Sequence, residues 1–210
     1  KTGEEPLLYA HAAIYGDPMP ELCLAQRPEA DALLSRDPLA LLIGMVLDQQ
    51  MPLEWAFTGP LTLTERLGHE LDVKELADYE PEKLAKVFAK PPAIHRFPSA
   101  MAARVQALCQ LIVSEYDGEP AGIWTGVKDG AALRKRVEAL PGFGKHKAAI
   151  FVALLGKQYG VTPRGWRDAA GAFGKRGSLL SVADITDGAT LLKVREAKKL
   201  AKAAAKTAKA

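Results

Sequence analysis

The chain has 210 residues, of which 48% are hydrophobic and 25% are charged, and its net charge at pH 7 is +3. This length supports one sizeable core or two small lobes that share a cleft, and the composition excludes a disordered or fibrous protein. No apolar run approaches a membrane span and the N-terminus lacks a secretory signal pattern, so a cytoplasmic protein without a membrane partner is expected.

The predicted elements, taken in chain order, are all helices. Apolar positions recur with helical spacing, and no stretch alternates convincingly between apolar and polar residues. The Gly59-Pro60 pair is expected to kink or split one helix. Residues 160–177 are irregular apart from one turn at 166–170. Helices are predicted over residues 28–34, 39–50, 52–67, 73–78, 81–89, 99–116, 129–139, 147–159 and from 191 onward.

Asp37-Pro38 marks the start of the most apolar helix. Aspartate is a favourable N-cap, and proline fits the first helical position. The segment that follows, residues 39–50, is apolar nearly all round and is therefore predicted to be the central buried helix.

These helices predict an all-α fold with two helical lobes around a cleft. The first lobe is expected over residues 38–128 and the second over 129–190, with residues 1–37 closing the second lobe. Residues 191–210 are predicted to form a basic helical tail, because they hold seven basic residues against Glu196 alone. Such a tail either attracts nucleic acid through counterion release or is a solvated helix that aids solubility.

The two cysteines, Cys23 and Cys109, limit the kinds of metal site that the chain can form. Each lies in an apolar context, and two thiols can neither ligate a four-cysteine iron–sulfur cluster nor supply paired zinc ligands. Reduced, buried thiols without a metal site are therefore expected.

The string LPGFGKHKA, residues 140–148, is the most informative stretch of the chain. Its two glycines permit positive φ and a close approach to a ligand, and the helix that follows directs free N–H groups and its positive dipole end outward. With Lys145 and Lys147 beside it, this turn predicts a site for a phosphodiester. A G-x-G pattern alone favours an ordinary turn between helices, but the whole string between two amphipathic helices favours DNA binding.

This string resembles the hairpin of the helix-hairpin-helix motif in its DNA glycosylase form. Residues 42–50, LIGMVLDQQ, resemble the L-(x)-L-x-Q-Q or L-S-x-Q end of an early helix in the same superfamily, HhH-GPD. The superfamily includes endonuclease III, the adenine-mismatch glycosylase and 3-methyladenine glycosylase II. The resemblance covers roughly residues 38–170. It implies a small, bacterial-type base excision DNA glycosylase that acts on double-stranded DNA and has no iron–sulfur cluster.

The resemblance assigns DNA-binding roles to particular residues. Gln50 is expected to enter the duplex where the target nucleotide has left, because a planar amide can fill the gap and hydrogen-bond the orphaned base. In the absence of the hairpin, Gln49 and Gln50 would be read as no more than the end of a helix before Pro52. The hairpin residues expected at DNA are Gly142, Phe143, Gly144, Lys145, His146 and Lys147.

Bifunctional family members place a lysine nucleophile two residues after the second hairpin glycine, where this chain has His146. The lysines on either side of it point roughly 100° away on a helix, so they are expected to contact phosphates. A monofunctional glycosylase is therefore implied. His146 either lines the base pocket, contacts a phosphate or is an ordinary exposed histidine.

The family's catalytic aspartate, which stabilises an oxocarbenium-like state, lies about 18–20 residues after the lysine position in a V-D-x-x-x-x-R or P-D-D context. Counting from His146 leads to Arg164 or Trp166, and the first carboxylate is Asp168, which fits with a few inserted residues. Asp168 is thus the first catalytic candidate, the alternative being a solvated turn residue. Asp184 is the second candidate because its V-x-D setting mimics the motif.

A flipped base needs planar apolar walls, which Phe97 and Trp166 are expected to provide from loops. His95 and Arg96 are further candidates for base or phosphate contacts. A monomer without a cofactor is expected, and a monovalent cation at the hairpin is left open. Two alternatives remain: a catalytically silent lesion-recognition protein of the same fold, and a helical architectural DNA-binding protein with a basic tail.

Overall fold

The computed structural model describes residues 21–207, and ten α-helices make up most of this range. Short 3₁₀ helices cover Pro120–Ile123, Gly171–Gly174 and Val182–Asp184. The α-helices are α1 (Pro28–Arg36), α2 (Pro38–Leu47), α3 (Leu53–Leu67), α4 (Val73–Asp78), α5 (Pro81–Ala89), α6 (Pro98–Tyr116), α7 (Gly130–Glu138), α8 (Lys145–Gln158), α9 (Trp166–Ala170) and α10 (Gly188–Thr207).

The all-α prediction is confirmed, since no strand forms within residues 21–207. An isolated bridge joins Asp129 to Arg164, and the Gly130 amide donates to the Arg164 carbonyl at 2.8 Å. This contact ties the start of α7 to the segment before α9. No helix in the described range is both long enough and apolar enough to cross a membrane.

Helix α2 is the central buried helix, as its composition predicts. The Asp37 carboxylate caps it by accepting hydrogen bonds from the Leu39 and Ala40 amides at 2.8 and 3.3 Å. Every residue from Leu39 to Leu47 is buried. The helix ends at Leu47 rather than at Gln50, because Asp48 leaves the helical conformation with a ψ of 73°. Gln50 then takes a positive φ of 54°. Both glutamines therefore lie in a loop.

The expected break at Gly59-Pro60 is not a helix boundary, since α3 runs through both residues. A Cβ on Gly59 would lie 2.4 Å from Cδ1 of Leu47, so the missing side chain lets α3 approach the end of α2. The glycine is thus a packing residue, and the proline is accommodated inside the helix.

The helices pack in two groups that share one hydrophobic core. In the first group α1 and α2 pack on α3, and α4 and α5 pack on α6. In the second group α7, α8 and α9 pack on one another. Helix α1, part of the segment predicted to close the second lobe, therefore packs with the first. Residues 1–20 of that segment lie outside the described range.

The predicted basic tail is partly an integral helix. Helix α10 begins at Gly188. The carboxylate of the preceding residue, Asp187, caps it by accepting a hydrogen bond from the Thr190 amide at 2.7 Å. Leu191 and Val194 are buried in the core, and Arg195 forms an ion pair with Glu54 at the start of α3. The first turns of α10 therefore join the two groups of helices, and removal of residues 191–210 would also remove part of the core.

Candidate functional site

The hairpin (residues 140–144) joins α7 to α8. Gly142 has a φ of +86°, as a tight turn at this place requires, and the Phe143 amide donates to the Leu140 carbonyl at 3.0 Å. No side chain caps α8, so the N–H groups of its first turn are free for a ligand. This arrangement favours an anion at the N-terminal end of a 14-residue helix.

Gly144 does not have the positive φ that its glycine suggested. Its φ is −89° and its ψ is 176°, an extended conformation open to any residue. A Cβ there would meet no atom within 4 Å, so the fold itself has no need of glycine at this position. The bare backbone instead leaves room for a ligand to approach the N–H groups of α8.

The hairpin lies against the first lobe. A Cβ on Gly142 would lie 3.5 Å from Cγ2 of Val46 and 3.9 Å from Cδ of Arg104. The turn therefore sits where the end of α2 meets the first half of α6. Phe143 is buried, with its ring 5.6 Å from that of Phe151, so it can offer DNA only its backbone.

The two hairpin lysines have different surroundings. Lys145 is exposed, as a phosphate contact must be, whereas Lys147 is half-buried. The Lys147 Nζ donates to the carbonyls of Met45 at 2.5 Å and Val46 at 3.3 Å, in the last turn of α2. The expected phosphate contact of Lys147 is therefore replaced by a C-terminal cap, which satisfies two orphan carbonyls and complements the helix dipole.

Burial lowers the pKa of Lys147 to about 8, with Arg104 adding to the shift and Asp48 opposing it. Between this value and the ordinary lysine value of 10.5, the unfolded chain holds a proton that the folded chain has released. The free energy of unfolding should therefore rise with pH over this window.

We expect this rise to disappear in Lys147→Met when urea unfolding is measured at pH 7, 8.5 and 10. Lys145→Met, at the exposed neighbour, is the matched control and should keep the pH profile of the wild type. If Lys147→Met and the wild type have parallel profiles, the ammonium group is not desolvated as the structure indicates.

The glutamine loop (residues 48–52) presents one of its two glutamines to solvent. The Gln49 amide group donates to the Val46 carbonyl at 2.6 Å, and its oxygen accepts from Nη1 of Arg104 at 2.7 Å. Gln50 is exposed, and its positive φ of 54° is unusual for a residue with a side chain. Gln49 thus holds the loop in place, and Gln50 is free to contact a duplex.

The loop before α6 supports the glutamine loop. His95 is buried, and its Nδ1 accepts from the Phe97 amide at 3.0 Å, so that Nε2 of the neutral ring carries the proton and donates to the Gln49 carbonyl at 3.0 Å. The suggested base contact of His95 is therefore a backbone contact within the protein. The Arg96 guanidinium lies 4.9 Å from the centre of the Phe97 ring and 3.4 Å from the Gln50 carbonyl.

The two aromatic residues predicted as pocket walls differ in their exposure to solvent. Phe97 is 44% exposed beside the glutamine loop, where it can meet a base. Trp166 is only 7% exposed, and its ring lies so close to α8 that a Cβ on Gly156 would come within 2.3 Å of it. The structure thus places Trp166 in the core of the second lobe rather than at its surface.

Asp184, the second catalytic candidate, is a structural residue. Its carboxylate pairs with Lys157 at 2.5 Å and accepts from Ser178 at 2.9 Å and from the Leu180 amide at 2.8 Å. Its side chain is 3% exposed. Lys157 belongs to the last turn of α8, roughly 18 Å along the helix from the hairpin at 1.5 Å per residue. Asp184 is therefore fully engaged at the wrong end of α8.

Asp168, the first candidate, is exposed on α9. Among the described residues, no side-chain hydrogen bond or ion pair joins it to another residue, so no protein contact fixes the position of its carboxylate. The adjacent Arg167 donates to the Gly174 carbonyl at 2.7 Å and stacks on Trp166 at 4.2 Å, rather than pairing with Asp168.

The string VTPRGWR, residues 161–167, resembles the family pattern around the catalytic aspartate but has no aspartate. It matches the V-D-x-x-x-x-R pattern at Val161 and Arg167, with the exposed Thr162 in the place of the aspartate. Thr162 lies 16 residues after His146, which is short of the family spacing of about 18–20. The site thus combines a hairpin, an exposed glutamine and an exposed aromatic residue.

Comparison with known proteins agrees with this geometry. A family model described as HhH-GPD superfamily base excision DNA repair protein matches residues 43–208. The matched range contains the glutamine loop, the hairpin and all of α10. No curated protein and no solved structure was found to match the chain.

Proposed function

Because the chain belongs to the HhH-GPD superfamily of base excision DNA repair proteins, we propose that it hydrolyses the N-glycosidic bond of a damaged or mismatched base. The observation that carries the proposal is the junction of the hairpin with the glutamine loop. Gly142 lies against Val46, and Lys147 donates to the carbonyls of Met45 and Val46, so two segments distant in sequence present one surface.

In this proposal the hairpin positions the duplex and the glutamine loop acts on it. The free N–H groups at the start of α8, with Lys145, bind a backbone phosphate without regard to sequence. Gln50 then fills the space that the extruded nucleotide leaves, and Phe97 is available to stack on a base. One chain supplies all these groups, so a cytoplasmic monomer acting on double-stranded DNA suffices.

The absence of a lyase nucleophile supports a monofunctional enzyme. His146 occupies the position of the lyase lysine, and its ring packs edge-on against Phe173 at 5.2 Å. The Lys147 amine is bound to carbonyls of α2 and is not free to attack a sugar. Strand cleavage by Schiff-base chemistry is therefore not expected.

A second candidate function is lesion recognition without catalysis. Thr162 in the place of the family aspartate favours it, as does the engagement of Asp184 by Lys157. Asp168 is the carboxylate that the sequence alone puts forward, and its substitution by asparagine tests that role.

The experiment that separates these functions is a single-turnover assay on duplexes that each carry one deaminated, oxidised, alkylated or mismatched base. We expect an abasic product that requires alkali for strand cleavage. Tight binding of lesion duplexes without an abasic product would establish the silent recognition protein. Strand cleavage without alkali would contradict the monofunctional assignment.

Replacement of Gln50 by alanine should weaken binding to a duplex with an abasic site by about tenfold, equivalent to about 1.4 kcal/mol. Affinity for the intact duplex of the same sequence should stay at the wild-type level, because that duplex has no gap to fill. Anisotropy titration of both duplexes at one salt concentration measures the ratio. An equal loss for both duplexes would show that Gln50 contacts the backbone rather than the gap.

A further inference from the structure

We propose, building on the glycosylase function above, that Asp48 is the carboxylate that serves base excision in this chain. The acid would then come from the glutamine loop of the first lobe rather than from the segment after α8.

Asp48 lies where three elements meet. It follows the last residue of α2 and stands two positions before Gln50. Lys147 of α8 donates to the carbonyls of Met45 and Val46, in the turn that leads to Asp48. The charges of Lys147 and of Lys198 in α10 both act on the Asp48 carboxyl group. Asp48 is thus placed between the residue expected to enter the duplex and the helix that the hairpin opens.

The setting of Asp48 is unfavourable for a purely structural residue. An acid at the C-terminal end of a helix has the wrong sign for the helix dipole. Within the described residues no donor hydrogen-bonds its side chain, and no ion pair closes on it, although it is half-buried. Burial accordingly raises its pKa, while Lys198 and Lys147 oppose this shift.

The other acids at helix ends show what a structural role requires. Asp37 accepts two amide hydrogen bonds at the start of α2, and Asp129 accepts two at the start of α7. Each is at an N-terminal end, where a carboxylate is favourable. Asp48 has neither the position nor the hydrogen-bond partners, and a half-buried carboxylate that only more distant charges stabilise is typical of functional sites.

The chemistry requires an ionised carboxylate close to C1′ of the target sugar. The C1′–N bond breaks, and its electron pair leaves with the base. A water oxygen bonds to C1′, and one water proton passes to the Asp48 carboxylate and from there to the departing base. The products are a sugar hydroxyl and a protonated base, and Asp48 returns to its ionised form. The positive charges of Lys147 and Lys198 favour that ionised form.

The test compares Asp48→Asn with Asp117→Asn. Asp117 also follows the last turn of a helix, α6, but it is exposed, with a positive φ of 54° that asparagine accepts. Each variant is measured for single-turnover excision, for affinity to an abasic duplex and for melting temperature. Asp168→Asn is measured in parallel as the competing assignment.

We expect Asp48→Asn to slow excision by about 100-fold or more, as for other groups that stabilise charge in a transition state. Its affinity for the abasic duplex should stay within about twofold of the wild type, as expected for a group that acts on the transition state alone. Its melting temperature should be equal or higher, because an unfavourable charge has been removed, and Asp117→Asn should excise like the wild type.

Excision by Asp48→Asn at the wild-type rate would overturn the inference and leave the glycosylase function standing. So would a large loss in Asp168→Asn alone. If Asp48→Asn melts at a lower temperature, and its loss of excision matches its loss of folded protein, the role of Asp48 is structural. Absence of excision by the wild-type protein on every lesion would instead refute the proposed function itself.

Discussion

A Gly144→Val variant is expected to lose at least about tenfold in affinity for every DNA duplex, with or without a lesion, and to melt at the temperature of the wild type. The extended backbone of Gly144 accepts any residue, and no atom lies within 4 Å of the Cβ position. Valine methyl groups would stand over the free N–H groups at the start of α8 and keep a phosphate away.

Gly144→Ala provides the graded comparison, with a smaller loss because it adds a single methyl group. Fluorescence anisotropy at one fixed salt concentration measures affinity, since phosphate contacts are strongly salt-dependent. Circular dichroism establishes that each variant is folded. A folded Gly144→Val protein with unchanged affinity would mean that the duplex does not contact the hairpin.

Replacing Trp166 by alanine should destabilise the protein by about 3–5 kcal/mol, the usual cost of removing a buried tryptophan. Its ring fills the space above Gly156, and the Trp166 backbone lies against Gly130, where a Cβ would come within 2.5 Å. The Trp166 side chain therefore holds α8 and α9 together, whereas its backbone packs on the start of α7. Urea unfolding, monitored by circular dichroism, measures the loss.

Phe97→Ala is the contrasting variant, because Phe97 is largely exposed beside the glutamine loop. It should cost less than about 1 kcal/mol of stability, as exposed substitutions usually do, and should weaken lesion binding. If Trp166→Ala is as stable as the wild type and changes lesion preference, Trp166 is a pocket wall after all.

Local sequence signals predicted the helices well. Asp37-Pro38 marks the start of α2, and the string from Leu140 to Gly144 marks the break between α7 and α8, because capping and turn chemistry are properties of neighbouring residues. The family resemblance rests on such a string and on its spacing from Gln50. The all-α class and the helix-hairpin-helix arrangement therefore follow from the sequence.

The side-chain partners could not be predicted, because they come from distant segments. Lys147 caps a helix that lies about a hundred residues earlier, so it is not available as a phosphate contact. Trp166 is in an irregular segment that reads as a loop, yet it is buried by packing on α8. The sequence around Asp184 resembles the catalytic motif, but its carboxylate forms an ion pair with Lys157.

Asp48 was overlooked for the same reason. In the sequence it is one acid next to two glutamines, and the motif directs attention to Gln50. Its importance emerges only when α8 and α10 bring Lys147 and Lys198 toward it. A residue whose surroundings come from two distant helices cannot be recognised from its neighbours in the chain.

The most direct test of the account is a crystal structure of the protein on a duplex that contains a stable, positively charged abasic analogue. We predict a backbone phosphate on the N–H groups at the start of α8, Gln50 within the base stack, and Asp48 facing the cationic centre of the analogue. A duplex bound to another surface, or one at the hairpin with Gln50 outside the stack, would contradict the account.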